Sequence, residues 1–266
     1  MRYLAGGSGP PLVLVHGVAA SSFSWRLNFA EIARHFRVYV PDLANLGYSV
    51  RVRGLDASLS ATAHRLTQFM DMAGLASADI VGSSYGGSVV MQMAALAPHR
   101  LRRMVLISPA NPFAGQYERV LRFYLSFLGG VFMRCVPFLP ARAWNYGIGR
   151  MYADASRMAA GTGIGYARPL RQRGTAKFIL AILKTLAADI EALREKLPGI
   201  SRVPTLLIWG DSDRVVELDS GLKLKEALGA EMAIIKGVGH LPYEEMPEEF
   251  NAVLLRYLRG GKNICN

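Results

Sequence analysis

Short, unbroken aliphatic runs recur along the chain at residues 12–15, 38–40, 80–81, 104–107, 205–209 and 232–235. A strand covered on one face alternates apolar and polar residues. One covered on both faces reads as a continuous apolar run, so these segments predict a mostly parallel sheet buried between helices. The intervals between them carry apolar residues at helical spacing: 23–36, 59–72, 89–97, 218–228 and 248–258. Strand and helix alternate, which predicts an α/β fold with right-handed crossovers.

One interval breaks that rhythm. Between Ile107 and Thr205 there is no convincing strand, and composition breaks bound the gap: Ser108-Pro109-Ala110-Asn111-Pro112 at its start and Pro198-Gly199-Ile200-Ser201-Arg202-Val203-Pro204 at its end. Within it, residues 117–128 and 175–196 have helical spacing, while the glycine-rich stretch 160–165 is expected to be a loop. The interval reads as a mostly helical insertion. No internal repeat or low-complexity tract is present.

Chemistry enters at Gly82-Ser83-Ser84-Tyr85-Gly86-Gly87, which lies between an apolar run and a helical stretch. A Gly-x-Ser-x-Gly turn from strand to helix is the setting in which a serine hydroxyl is held up as a nucleophile. Such a serine needs a base to take its proton and an acid to orient the base. His240, in Gly237-Val238-Gly239-His240-Leu241-Pro242, follows the last apolar run, and Asp213, in Trp209-Gly210-Asp211-Ser212-Asp213, follows the one before it. Loops at the carboxyl ends of parallel strands converge on the edge of the sheet where ligands bind, so all three residues are expected there. Ser83 competes by adjacency but lacks the flanking glycine frame, and Asp211 competes with Asp213. His35, His64 and His99 fall on helices or helix ends without a partner motif. Trp25 and Trp209 read as core; for Trp144 a core position and a substrate-pocket lining are both open.

The chain order Ser, Asp, His, together with these motifs, resembles the α/β-hydrolase superfamily in its cap-bearing, esterase- or lipase-like serine form. The resemblance covers nearly the whole chain. It takes in His16-Gly17 after the first run, Pro41-Asp42-Leu43 with Gly47-Tyr48-Ser49 after the second, and Gly239-His240 followed by Glu244, Pro247 and Phe250. The fold it implies is a mostly parallel central sheet flanked by helices, with a helical cap inserted after the strand at 102–107. Residues 1–111 and 204–266 would form the core and 112–203 the cap. The resemblance also implies Ser84, Asp213 and His240 as the catalytic residues and the backbone N–H groups of Val18 and Tyr85 as the oxyanion hole, and it favours Asp213 over Asp211. His16 would be a structural member of the oxyanion loop. A carboxylic ester with an apolar acyl group would be the substrate; a diketone carbon–carbon bond, a thioester, a lactone or perhydrolysis would use the same triad, and a non-catalytic ligand receptor would keep the pocket alone. A serine rather than an aspartate at position 84 argues against haloalkane or epoxide chemistry. Two departures stand out. Asn45 replaces the first glycine of the usual Gly-x-Gly, which still tolerates a left-handed backbone. The fifteen residues before His16 are too few for the usual antiparallel hairpin, so at least its first strand is expected to be missing.

Composition adds one surprise. The net charge is +11, and residues 112–198 hold thirteen Lys or Arg against five Asp or Glu, a balance of +8, so the core is close to neutral and the insertion is strongly basic. Arginine stems covering apolar surface, a lid for lipid-like or anionic esters, and contact with an anionic membrane surface are the readings this leaves open. No nucleic-acid-binding motif accompanies the charge. The longest charge-free apolar stretch, 123–133, has eleven residues, too few to span a bilayer. Cys135 and Cys265 have neither disulfide-framework nor metal-ligand spacing, and no His, Cys, Asp or Glu cluster implies a metal or cofactor. No signal peptide precedes Gly6, and cytoplasmic residence is the default expectation.

Overall fold

A computed structural model describes residues 1–115 and 117–261, and of residues 117–120 the backbone only; Cys265 lies outside the described residues. Seven strands form one sheet: β1 (Tyr3–Gly6), β2 (Pro11–Val15), β3 (Arg37–Pro41), β4 (Ala78–Ser83), β5 (Leu101–Ile107), β6 (Thr205–Gly210) and β7 (Glu231–Ile235). Their order is β1-β3-β2-β4-β5-β6-β7, with β1 antiparallel to β3 and every other pair parallel. The fold is therefore α/β with a mostly parallel sheet, and all six aliphatic runs lie on strands. β4 and β6 are buried at every position. Their alternate side chains feed two cores: Ile80, Leu207 and Trp209 on one face and Val81, Leu206 and Ile208 on the other.

The helices of the sheet layer are α1 (Phe29–Ile32), α2 (Leu59–Met72) and α3 (Tyr85–Leu96). Between β5 and β6 come α4 (Tyr117–Leu125), α5 (Phe127–Cys135), α6 (Ala141–Gly149), α7 (Thr162–Leu170), α8 (Thr175–Glu191) and α9 (Leu197–Ile200), followed by α10 (Leu218–Leu228), α11 (Pro242–Glu245) and α12 (Pro247–Leu258). Among the described residues no strand lies between β5 and β6, and no helix is long and apolar enough to cross a membrane.

Two expectations are corrected. Residues 23–36 do not form one helix but a short 3-10 turn, Ser22–Trp25, and the single turn α1. Polar anchors break the helix: the partly buried Arg26 reaches Glu244 and the buried Asn28 reaches Asn251, each tying its turn to a distant partner. The glycine-rich stretch 160–165 is not simply a loop, because Thr162 starts α7 and Gly163 and Gly165 lie inside it. These glycines make room: a Cβ on Gly163 would strike Asn145, and one on Gly165 the Phe23 ring. As expected, the described residues ahead of His16 hold no antiparallel hairpin: the one antiparallel strand there, β1, pairs with β3 and is exposed along most of its length, so its residues carry no core pattern. Asn45 adopts the left-handed conformation, φ 60°, and its side-chain amide brackets Val52 by accepting from its N–H at 2.6 Å and donating to its carbonyl at 2.8 Å.

Candidate active site

Ser84 sits where β4 turns into α3. Its backbone has φ 52° and ψ −121°, a strained combination for a residue with a side chain. The strain is held by close approach on every side. The Ser84 N–H donates to Ile107 O at 2.9 Å; a Cβ on Gly82 would overlap the Gly86 carbonyl, and one on Gly86 would meet the carbonyls of Val15 and His16. The turn is thus wedged against the end of β2, and a Cβ on Gly17 would come into van der Waals contact with that of Ser84. Tyr85 opens α3, so its N–H has no partner within the helix. Neither it nor the Val18 N–H donates to an acceptor among the described residues.

His240 and Asp213 are paired. His240 Nδ1 lies 2.8 Å from Asp213 Oδ2, both side chains being almost fully buried. The second Asp213 oxygen accepts the N–H groups of Val215, at 2.8 Å, and Val216, at 3.0 Å, which fixes the carboxylate plane. Burial alone would raise the Asp213 pKa, but the His240 ring and the two amides outweigh it and hold the carboxyl below its ordinary value. A buried, ionised carboxylate at Nδ1 favours the tautomer with its proton there. That leaves Nε2 as the free basic nitrogen, and Nε2 is buried without a partner among the described residues.

The other candidates separate cleanly. Asp211 is exposed and accepts from the Gly237 N–H at 2.8 Å, so it ties the β6 loop to the β7 loop instead of meeting His240. Ser83 is buried, and its hydroxyl donates to Tyr243 Oη at 3.3 Å, linking the serine turn to the residue three positions past His240. His16 is fully buried: Nδ1 lies 2.8 Å from Gly17 O and Nε2 accepts the Leu43 N–H at 3.0 Å, with burial lowering its pKa. Both ring nitrogens are spent on the main chain. Trp25 and Trp209 are core; Trp144 is half-buried, packs against both cores and donates its indole N–H to Val136 O at 3.0 Å.

The segment between β5 and β6 is bound to the His240 loop by contacts that no local motif announces. The His240 N–H donates to Met151 O at 2.7 Å. Glu245 accepts from the N–H groups of Gly239 (2.8 Å), Ala153 (3.0 Å) and Asp154 (2.9 Å), stitching the two loops together. Glu244 accepts from both terminal nitrogens of Arg26 (2.8 and 3.0 Å), from Tyr152 Oη (2.7 Å) and from Tyr166 Oη. Burial and then the Glu244 charge raise the Tyr152 pKa, and burial dominates the rise at Tyr166, so both phenols stay protonated as donors. Glu244 stood in the motif that carried the resemblance. Its partners did not, because they lie 218, 92 and 78 positions away.

A cleft of about 570 Å³ opens beside β1 and α2, lined by Tyr3, Ala44, Arg65 and Phe69 among others, but none of Ser84, Asp213 or His240 lines it. It contains no paired nucleophile and base. Among the described residues no group of His, Cys, Asp and Glu is arranged to hold a metal.

The model of the alpha/beta hydrolase family matches residues 12–253. A pimeloyl-[acyl-carrier protein] methyl ester esterase of Nitrosospira multiformis is 27% identical over 268 residues, covering 95% of this chain and 96% of that protein. A 2-hydroxy-6-oxo-2,4-heptadienoate hydrolase of Pseudomonas putida is 36% identical over 104 residues, 38% of each chain. The solved 2-hydroxy-6-oxo-6-phenylhexa-2,4-dienoate hydrolase of Rhodococcus superposes with a TM-score of 0.81 at 23% identity over 97% of this chain and 94% of that one, a likeness of fold. With a family match that runs from the first aliphatic strand to the last helix, this chain belongs to the alpha/beta hydrolase family.

Proposed function

We propose that the protein is a serine hydrolase that cleaves carboxylic esters through an acyl-enzyme. Ser84 Oγ attacks the acyl carbon as its proton passes to His240 Nε2, and Asp213 holds the imidazole in the required tautomer and offsets its positive charge. The oxyanion that develops is met by the N–H groups of Val18 and Tyr85, the latter at the positive end of the α3 dipole. His240 then returns the proton to the leaving alkoxide, and water repeats the sequence to release the acid. Residues 112–203 act as a cap over this centre, with Trp144 on its substrate side.

The observation that carries this reading is the His240–Asp213 pair, whose outer nitrogen is buried and unpartnered, in a protein whose Ser84 stands on a strained turn at the end of β4. Ser84→Ala is expected to lower kcat on p-nitrophenyl acetate by at least ~10³-fold and to abolish the fluorophosphonate adduct on Ser84 in the intact-mass spectrum. Wild-type turnover in that variant would refute the assignment. An unlabelled Ser84 in the native protein, with no turnover, would favour a ligand receptor.

A second reading, hydrolysis of a carbon–carbon bond beside a ketone, is favoured by the likeness to the two dienoate hydrolases. It would use the same triad and is separated by assaying a 2-hydroxy-6-oxo-dienoate beside the esters.

A further inference from the structure

Helix α5 is amphipathic in the reverse of the usual sense for a surface helix. At the helical period Phe127, Leu128, Val131, Phe132 and Cys135 share one face, and all are exposed. The other side carries Gly129 and Gly130, packed against the Phe123 carbonyl and Leu180. Small residues face the protein and large apolar ones face outward. The geometry is built in, because Ser126 separates α4 from α5 by accepting the Gly129 N–H at 3.1 Å and donating to Phe123 O at 2.7 Å. Phe127 is 85% exposed, Leu128 72%, and Phe138, in the turn after the helix, 69%. Phe123 extends the patch from α4, its ring 5.9 Å from that of Phe132. Single exposed apolar residues are ordinary; a contiguous set on adjacent helices marks an interaction surface.

Charge identifies the partner. Between Glu118 and Asp154 the chain has five arginines and no Asp or Glu. Arg122 on α4, Arg134 on α5 and Arg142 at the start of α6 are exposed, while the described ion pairs of the helical segment involve Arg157 and Arg194 instead. A second copy would set one cationic face against another, which like-charge repulsion opposes. An anionic bilayer supplies both counterparts at the right depths, hydrocarbon for the phenylalanine rings and phosphate for the guanidinium groups at their rim. We propose that the α4–α5 face docks the protein on anionic phospholipid membranes. None of these residues belongs to the acyl-transfer machinery, so this inference stands or falls separately from it.

The test is co-sedimentation of the full chain with vesicles of phosphatidylcholine alone and of phosphatidylcholine mixed with phosphatidylglycerol. Binding is expected to the mixed vesicles and to weaken as salt rises. Phe127→Ser with Leu128→Ser should lower partitioning by roughly tenfold or more through lost apolar burial. Arg134→Gln with Arg142→Gln should lower it by roughly 25-fold, about fivefold per charge. Both double variants should turn over a soluble p-nitrophenyl ester as wild type does. No binding to mixed vesicles at low salt, or equal binding to both vesicle types, would overturn the proposal. So would a dimer in light scattering that the Phe127/Leu128 variant dissociates without altering vesicle binding.

Discussion

Glu244→Gln preserves size and shape while removing the charge on which the helical segment and the His240 loop converge. The two carboxylate oxygens accept four hydrogen bonds, two from Arg26 and one each from Tyr152 and Tyr166. A glutamine offers one oxygen and one NH₂ group, so half of the site would set a donor against donors, and the guanidinium would lose its countercharge. Removing one partner of a buried ion pair costs about 3–5 kcal/mol. Because the Arg26 side chain keeps 21% of its surface exposed, water relieves part of that, and the low end, about 3 kcal/mol, is expected. For a domain of this size the melting temperature should fall by roughly 6–12 °C. Thermal unfolding followed by near-UV circular dichroism, with urea midpoints at neutral pH, measures the loss. The cycle with Arg26→Met isolates the charge: if the pair is the cause, Arg26→Met/Glu244→Gln should be less destabilised than the sum of the single variants. A loss below about 1 kcal/mol for Glu244→Gln, or strict additivity in the cycle, would refute the reasoning.

Gly165→Ala sets helix propensity against packing. Alanine favours the interior of α7 by about 1 kcal/mol, yet its methyl group would enter the Phe23 ring, which is held edge-on by Tyr166 and lies under the Arg26 guanidinium. Overpacking costs about 1–3 kcal/mol, so a net fall in the urea midpoint is expected, and a rise would show that the ring gives way freely. His16→Gln tests pH linkage. The folded-state pKa of His16 is lowered by burial, so below its ordinary value of about 6.5 the unfolded chain binds a proton that the folded one refuses. Its contribution to stability is full above that pH and declines as pH falls toward the lower folded value. Stability measured by urea between pH 7 and 5 should fall less steeply in the glutamine variant, whose amide oxygen can take the Leu43 N–H; an unchanged slope would mean that His16 already titrates freely in the fold.

The strands were legible because most are covered on both faces, which leaves no polar residue to interrupt an aliphatic run. β1 was not, since a short edge strand with exposed Tyr3 and Leu4 has no core to encode. The neighbourhood of Ser84 could be read because tight backbone approach demands glycine at local spacings, as at Gly82 and Gly86. The same residue misled at 160–165, where Gly161 does make a turn but Gly163 and Gly165 serve close packing inside α7. Glycine reports that something comes close without saying what. The contacts of Glu244 and Glu245 with Arg26, Ala153, Asp154, Tyr152 and Tyr166 could not be read at all, for they join residues 78 to 218 positions apart.

Those long-range contacts alter what the helical segment between β5 and β6 can be. Were it a loosely hinged flap, the proton-relay geometry would depend on the sheet alone. Instead the His240 loop is held from both sides. Beneath it, Gly210 lets the Val238 and Gly239 carbonyls approach the end of β6, and the Ser212 N–H donates to Val238 O at 3.0 Å. Above it, Met151 O takes the His240 N–H, and a Cβ on Gly239 would strike the 151–153 backbone. The same segment reaches the core again through Asp189, which accepts the Leu59 N–H at 3.0 Å and caps α2, and through Arg51, bound to Thr175 at 2.7 Å. The stretch 151–154 and the α7–α8 arm are therefore tied to the sheet layer at several separate points. In α4–α5, by contrast, Phe127 and Leu128 face outward and gain little burial from the fold. Under the proposed chemistry the 151–154 stretch of the insertion keeps His240 in place, while the apolar face of α4–α5, which makes none of these contacts, is left for another surface to cover.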